Sequence, residues 1–186
     1  SKDRETTIFV AENSTTPKEV WIAERDFKNI RQLTNINNLY QASQFGETRL
    51  IHWQRSDGRK LSGTLLLPSD YEEGKKYPLV VKVYGNMNYA NRVNIFGVDE
   101  GVSNLQLLAT RGYAVLLPNV PVGKETPVKD ITDATVSATK KIIEMGIADP
   151  DRLALFGHSY GGYCVLAIGT NSDLFKTIIS SAGSSN

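Results

Sequence analysis

The chain has 186 residues, 40% of them apolar and 22% charged, which excludes a disordered or fibrous protein and suffices for one sizeable core. Lys and Arg number 21 against 20 Asp and Glu, for a formal charge of +1, so nothing draws the chain in bulk to nucleic acid or to an anionic membrane. One cysteine, Cys164, excludes an internal disulfide and a cysteine-rich metal site, and the two histidines, His52 and His158, limit what acid–base chemistry the chain can supply.

The N-terminus, Ser1-Lys2-Asp3-Arg4-Glu5, is charged and no apolar h-region follows it, so no signal peptide is read there. No apolar run approaches the roughly 20 residues that span a bilayer. Residues 6–11 read as a strand, 13–18 as a polar turn with Pro17, and 19–23 as a second strand ended by the polar stretch 25–32. A two-stranded hairpin is marginal in water by itself, so this one needs a partner sheet. Residues 35–43 read as a linker.

From about residue 47 the pattern changes. Residues 49–55 and 61–67 read as strands joined by Ser56-Asp57-Gly58, a hairpin signal, and Pro68 ends the second. The near-continuous apolar run 79–84 has the character of an interior strand of a parallel sheet. Residues 102–111 read as a helix stopped by Gly112, and 113–117 as a buried strand ended by Pro118. Thr126-Pro127 offers an N-cap followed by proline at the first helical position. Ile131, Ala134, Ala138, Ile142 and Met145 then recur at helical spacing, until Gly146. Residues 153–156 read as a buried strand, 160–169 as a helix, and 177–181, with Ile178 and Ile179, as another strand, expected to be interior in a complete sheet but an exposed apolar edge in this chain. Strands alternating with helices predict an α/β fold, a mostly parallel sheet with helices on both faces, entered by an antiparallel pair.

The chemistry centres on Gly157-His158-Ser159-Tyr160-Gly161, which matches G-x-S-x-G. The pattern alone is weak and also fits a glycine-rich turn with no chemistry. Its setting, after a buried strand and at the start of a helix, is what the motif requires. The turn pushes the Ser159 hydroxyl out at the carboxyl end of the sheet. Gly157 and Gly161 are needed because a Cβ at either would collide with the tight turn. A helix N-terminus also favours developing negative charge. One oxyanion donor is then the backbone N–H of Tyr160. A second belongs in the loop after 79–83, which opens with Tyr84-Gly85-Asn86. The Tyr84 hydroxyl could donate there, or the ring could simply cover the sheet.

Residues 57–181 resemble the prolyl oligopeptidase family of serine peptidases. The resemblance rests on Ser56-Asp57-Gly58, Gly63, Leu65-Leu66-Leu67-Pro68, Tyr77-Pro78-Leu79-Val80-Val81 and Val83-Tyr84-Gly85. It continues through Arg111-Gly112-Tyr113-Ala114-Val115, Ile147-Ala148-Asp149-Pro150-Asp151-Arg152-Leu153 and Gly157-His158-Ser159-Tyr160-Gly161-Gly162-Tyr163. It implies an α/β-hydrolase fold over 41–186, cut off after about six strands. Residues 1–40 then correspond to the last strands of a β-propeller and a linker. It implies Ser159 as nucleophile, Tyr84 and Tyr160 as the oxyanion hole, a peptide or other acyl substrate, and neither cofactor nor metal. One departure is the loop Asn119-Val120-Pro121-Val122-Gly123-Lys124, which lacks the arginine that many members carry there and is somewhat like the glutamyl-endopeptidase branch.

A serine nucleophile needs a base and an orienter. In this fold they follow the serine along the chain, yet no histidine lies among the 27 residues after Ser159. His158 should point away from the hydroxyl, and His52 reads as a partly exposed strand residue. Asp173 comes too early to be the orienter, and Asp149 and Asp151 read as turn residues. The expectation is therefore a portion of a longer serine peptidase, inert by itself because the triad Asp and His are missing. A carboxylesterase- or lipase-like hydrolase and a non-catalytic binding relative are the alternatives. Binding to nucleic acid or membrane is not expected, and oligomeric state is unreadable. A lone cysteine fits the cytoplasm, with a secreted or periplasmic parent left open.

Overall fold

The computed structural model describes residues 5–40, 42–98 and 104–184. Val102 and Ser103 of the expected helix, Ser1 to Arg4, Gln41 within the expected linker, and Ser185 and Asn186 lie outside the described residues.

Strands β1 (Thr6–Ala11) and β2 (Glu19–Glu24) pair antiparallel, with Ile8 opposite Ile22 and Val10 opposite Val20. In the turn between them the Asn13 side chain accepts a hydrogen bond from the Thr15 N–H at 2.9 Å, a local bond that favours turning over extension. A third strand, β3 (Arg31–Gln32), adds to β2, so the expected hairpin is a three-stranded sheet. The polar stretch 25–32 makes the reversal through positive φ at Asp26, Phe27 and Asn29. Both residues of β3 are exposed, so no apolar alternation marks it in the sequence. The expected linker is partly structured, with a 3-10 turn at Asn38–Tyr40. Buried Gln106 ties this sheet to the rest: its side-chain nitrogen donates to the Ser14 and Gly46 carbonyls, each at 2.8 Å, and its oxygen accepts from the Gly46 N–H at 2.9 Å.

The main sheet holds β4 (Thr48–Gln54), β5 (Lys60–Leu66), β6 (Tyr77–Lys82), β7 (Ala114–Pro118), β8 (Ala148–His158) and β9 (Thr177–Ser181) in the order β4-β5-β7-β6-β8-β9. The β4/β5 and β5/β7 pairings are antiparallel; β7/β6, β6/β8 and β8/β9 are parallel. Helix α1 (Gln106–Ala109) lies on one face, with Leu66, Val115 and Leu117. Helices α2 (Pro127–Glu144) and α3 (Tyr160–Gly169) cover the other, over Leu65, Leu79, Val81, Leu116, Leu153 and Leu155. Neighbouring residues of one strand thus enter opposite cores, which is why β7, and β6 as far as Val81, are apolar and carry no alternation.

Three local expectations need correction. Within the described residues the helix expected at 102–111 is one turn, α1. Thr126 caps α2 by position, but its side chain makes no capping hydrogen bond. Ile131, Ala134, Ala138 and Ile142 are fully buried, whereas Met145, past the last turn, is 38% exposed. Strand β9, by contrast, forms where expected and is the exposed apolar edge expected of it. It ends the sheet, leaving Ile178 and Ile179 39% and 50% exposed. Among the described residues no helix is long and apolar enough to cross a membrane.

Candidate active site

The chain leaves β8 at His158 and enters α3 at Tyr160, so Ser159 alone makes the turn. Its backbone sits at φ 56°, ψ −122°, a conformation that costs a non-glycine residue about 1–3 kcal/mol and persists only where its surroundings enforce it. Here they do. The Ser159 N–H donates to the Ser181 carbonyl at 2.8 Å, and the Ser159 carbonyl accepts from Gly162 at 2.8 Å and Tyr163 at 3.3 Å. A β-carbon on Gly157 would lie 2.0 Å from the Gly161 carbonyl oxygen, and one on Gly161 would lie 2.3 Å from the Val83 oxygen. The two glycines let the turn close on itself and on the end of β6.

Ser159 is exposed and borders an open depression of about 540 Å³, lined also by Pro127, Tyr160, Tyr163, Ala182 and Ser184. Tyr84 follows β6 directly, and its ring meets that of Tyr160 edge to face, centroids 5.8 Å apart. Tyr160 in turn stacks on Tyr163 at 5.8 Å and 13°. Burial pushes the Tyr160 phenol up. Gly85 lets these rings close in: a β-carbon there would lie 2.6 Å from Tyr160 Cε1 and 3.0 Å from Val122 Cγ2. Of the residues named from sequence, Gly157, Gly161 and Tyr160 thus adjoin Ser159, and Tyr84 lies beside them against the Tyr160 ring and Gly161.

The other polar candidates stand elsewhere. His158 Nδ1 lies 3.1 Å from Ser181 Oγ. His52 is exposed on β4, the far edge of the sheet from β8. Asp149 bonds the Asp151 N–H and Arg152, and Asp173 is exposed. Cys164 is buried one turn into α3, and that burial pushes its thiol up, the opposite of what a nucleophilic thiol needs.

Sequence reading missed a buried ion pair behind the site. Arg55 Nη1 donates to Asp130 Oδ1 at 2.8 Å, and Arg55 Nη2 to Asp57. Asp130 Oδ2 accepts from the Gly123 N–H at 2.9 Å and the Thr126 hydroxyl at 3.3 Å. The only signal was an acidic residue beside the apolar stripe of α2. The Gly123 N–H and then Arg55 hold the Asp130 carboxyl below its usual range, while Arg55 and then the Arg59 N–H bring Asp57 down to about 2. A carboxylate more acidic folded than unfolded contributes stability above its unfolded pKa, lost as pH falls through the folded one. The chain should therefore lose stability between about pH 4 and about pH 2. Asp130→Asn should lower stability at pH 7 and flatten that slope, read from urea midpoints across pH; an unchanged slope would discount the pair.

The prolyl oligopeptidase family model matches residues 100–186. Mouse prolyl endopeptidase FAP is 33% identical over 181 residues, covering 91% of this chain and 22% of that protein. A probable chloroplastic glutamyl endopeptidase of rice is 27% identical over 170 residues, covering 82% of this chain and 18% of its own length. Among solved structures, Pyrococcus horikoshii acylaminoacyl peptidase aligns over 96% of this chain and 30% of its own, with 26% identity and a TM-score of 0.72. The chain thus spans about a fifth of the length of these two curated relatives. The six-stranded sheet and its flanking helices are those of an α/β-hydrolase. Motif, fold and relatives agree that the chain belongs to the prolyl oligopeptidase family of serine peptidases.

Proposed function

We propose that Ser159 is the nucleophile of a peptidase that cleaves peptide bonds through an acyl-enzyme. Ser159 Oγ attacks the scissile carbonyl as its proton passes to a base. The oxyanion accepts hydrogen bonds from the Tyr84 hydroxyl and the Tyr160 N–H. Collapse expels the amine, which takes up the proton, and water then releases the acid. The observation that carries this reading is Ser159 itself, held at φ 56° on the rim of an aromatic depression.

The base is supplied from outside these 186 residues. His52 lies on the far edge strand, and His158 is turned to Ser181, so the chain alone should be inert. Residues 1–40 serve as strands of a propeller that filters substrates. The relatives' names (prolyl endopeptidase, glutamyl endopeptidase, acylaminoacyl peptidase) support a peptide substrate over a simple ester. The full-length protein should hydrolyse blocked peptide anilides with kcat/KM at least comparable to that for matched short-chain esters. Ester turnover with no peptide cleavage would favour a carboxylesterase instead.

A further inference from the structure

We propose that Asn86 is a positioning residue that fixes the Tyr84 hydroxyl by clamping loop 119–126 against the Tyr84-Gly85 segment. The inference rests on the reading of Tyr84 as an oxyanion donor. Asn86 is two residues from Tyr84 and takes φ 61°, a region that asparagine tolerates better than most side chains. From there both its backbone and its side chain reach the loop after β7. The Asn86 N–H donates to the Val120 carbonyl at 2.8 Å, and Asn86 Oδ1 accepts from the Val122 N–H at 2.8 Å.

The loop is itself anchored on both sides of that clamp. The Asn119 N–H donates to the Ser62 carbonyl at 2.9 Å, and Asn119 Oδ1 accepts from Ala90 at 3.0 Å. Farther along, the Gly123 N–H is held by Asp130, which Arg55 backs at 2.8 Å. A loop pinned at both ends can press rather than drift. Its Val122 side chain abuts Gly85 beside the Tyr160 ring, and Tyr160 bears edge to face on Tyr84. Asn86 therefore acts on Tyr84 along two routes, the two-residue backbone link and the Val122–Gly85–Tyr160 contact. Misplacing a catalytic donor by about 1 Å can cost about a hundredfold in rate, so a clamp this close to one is a rate device.

The test is a double-mutant cycle in the full-length protein, with kcat and KM for a peptide substrate. Asn86→Gly keeps the positive φ and removes the acceptor. It should lower kcat about tenfold with KM within about twofold, as expected when a transition-state contact is lost. Amide hydrogen exchange at Val122 should quicken while that of β6 and β7 stays unchanged. Asn86→Asp, which keeps an acceptor, should restore kcat. In a Tyr84→Phe background Asn86→Gly should change kcat by less than about twofold, because the group it positions is already gone. A Tyr84→Phe defect without an Asn86→Gly defect overturns this inference alone. An unaffected Tyr84→Phe overturns the oxyanion reading and this inference together. Equal effects of Asn86→Gly in both backgrounds would reduce Asn86 to a general structural role. Should Asn86→Gly not fold, Val122→Ala removes the contact at Gly85, and the same cycle decides.

Discussion

Ser159→Ala in the full-length protein is expected to abolish peptide hydrolysis, lowering kcat by about 10⁴- to 10⁶-fold, the scale on which a serine protease loses turnover with its nucleophile. The fold should survive. Ser159 is exposed, and its backbone, not its side chain, makes the bonds to Ser181, Gly162 and Tyr163. Alanine meets the same backbone strain at φ 56° as serine does, so the melting temperature should move by no more than a few degrees. A large activity loss with an unchanged melt assigns the chemistry to the hydroxyl. Loss of both together would make Ser159 a structural residue, and retained activity would remove it from the mechanism.

Gly157→Ala should have the largest effect on stability of any single-methyl addition at the site. The new β-carbon would lie 2.0 Å from the Gly161 carbonyl oxygen and 2.3 Å from its carbon. Both are backbone atoms at the first turn of α3, with no side chain free to swing aside. Opening the turn would pull α3 off β8 and disturb Leu153 and Leu155 beneath it. A cost of about 3–5 kcal/mol is expected, the range of severe overpacking with backbone strain. Gly74→Ala is the control. Gly74 has φ +84° but nothing within 4 Å of the added carbon, so only the backbone penalty of about 1 kcal/mol should appear. Urea unfolding of the two variants should separate them by several-fold in free energy. Equal costs would mean that the elbow has room that its geometry denies.

Strands β6 and β7 were legible in the sequence because burial on both faces leaves long apolar runs. The elbow was legible because its glycines answer to a local steric demand that shows in the chain itself. The tyrosines were nameable for the same reason: Tyr160 adjoins the serine, and Tyr84 sits where a buried strand ends. What stayed hidden depends on distant contacts. Strand β3 has two exposed polar residues and no periodicity to betray it. The Arg55–Asp130 pair joins residues 75 apart in the chain, and each alone reads as an ordinary surface charge. Asn86 looks like a turn residue until Val120 and Val122 are seen across from it.

The pairing of Ser159 with a base from beyond these residues is tested most directly by active-site labelling. The 186-residue chain and the full-length protein would be treated with a fluorophosphonate, and adduct formation at Ser159 followed by intact and peptide mass. The full-length protein should be labelled stoichiometrically at Ser159 within minutes, and the 186-residue chain at a rate lower by several orders of magnitude. Rapid, stoichiometric labelling of the short chain would contradict the account, as would labelling of the full-length protein at any other residue.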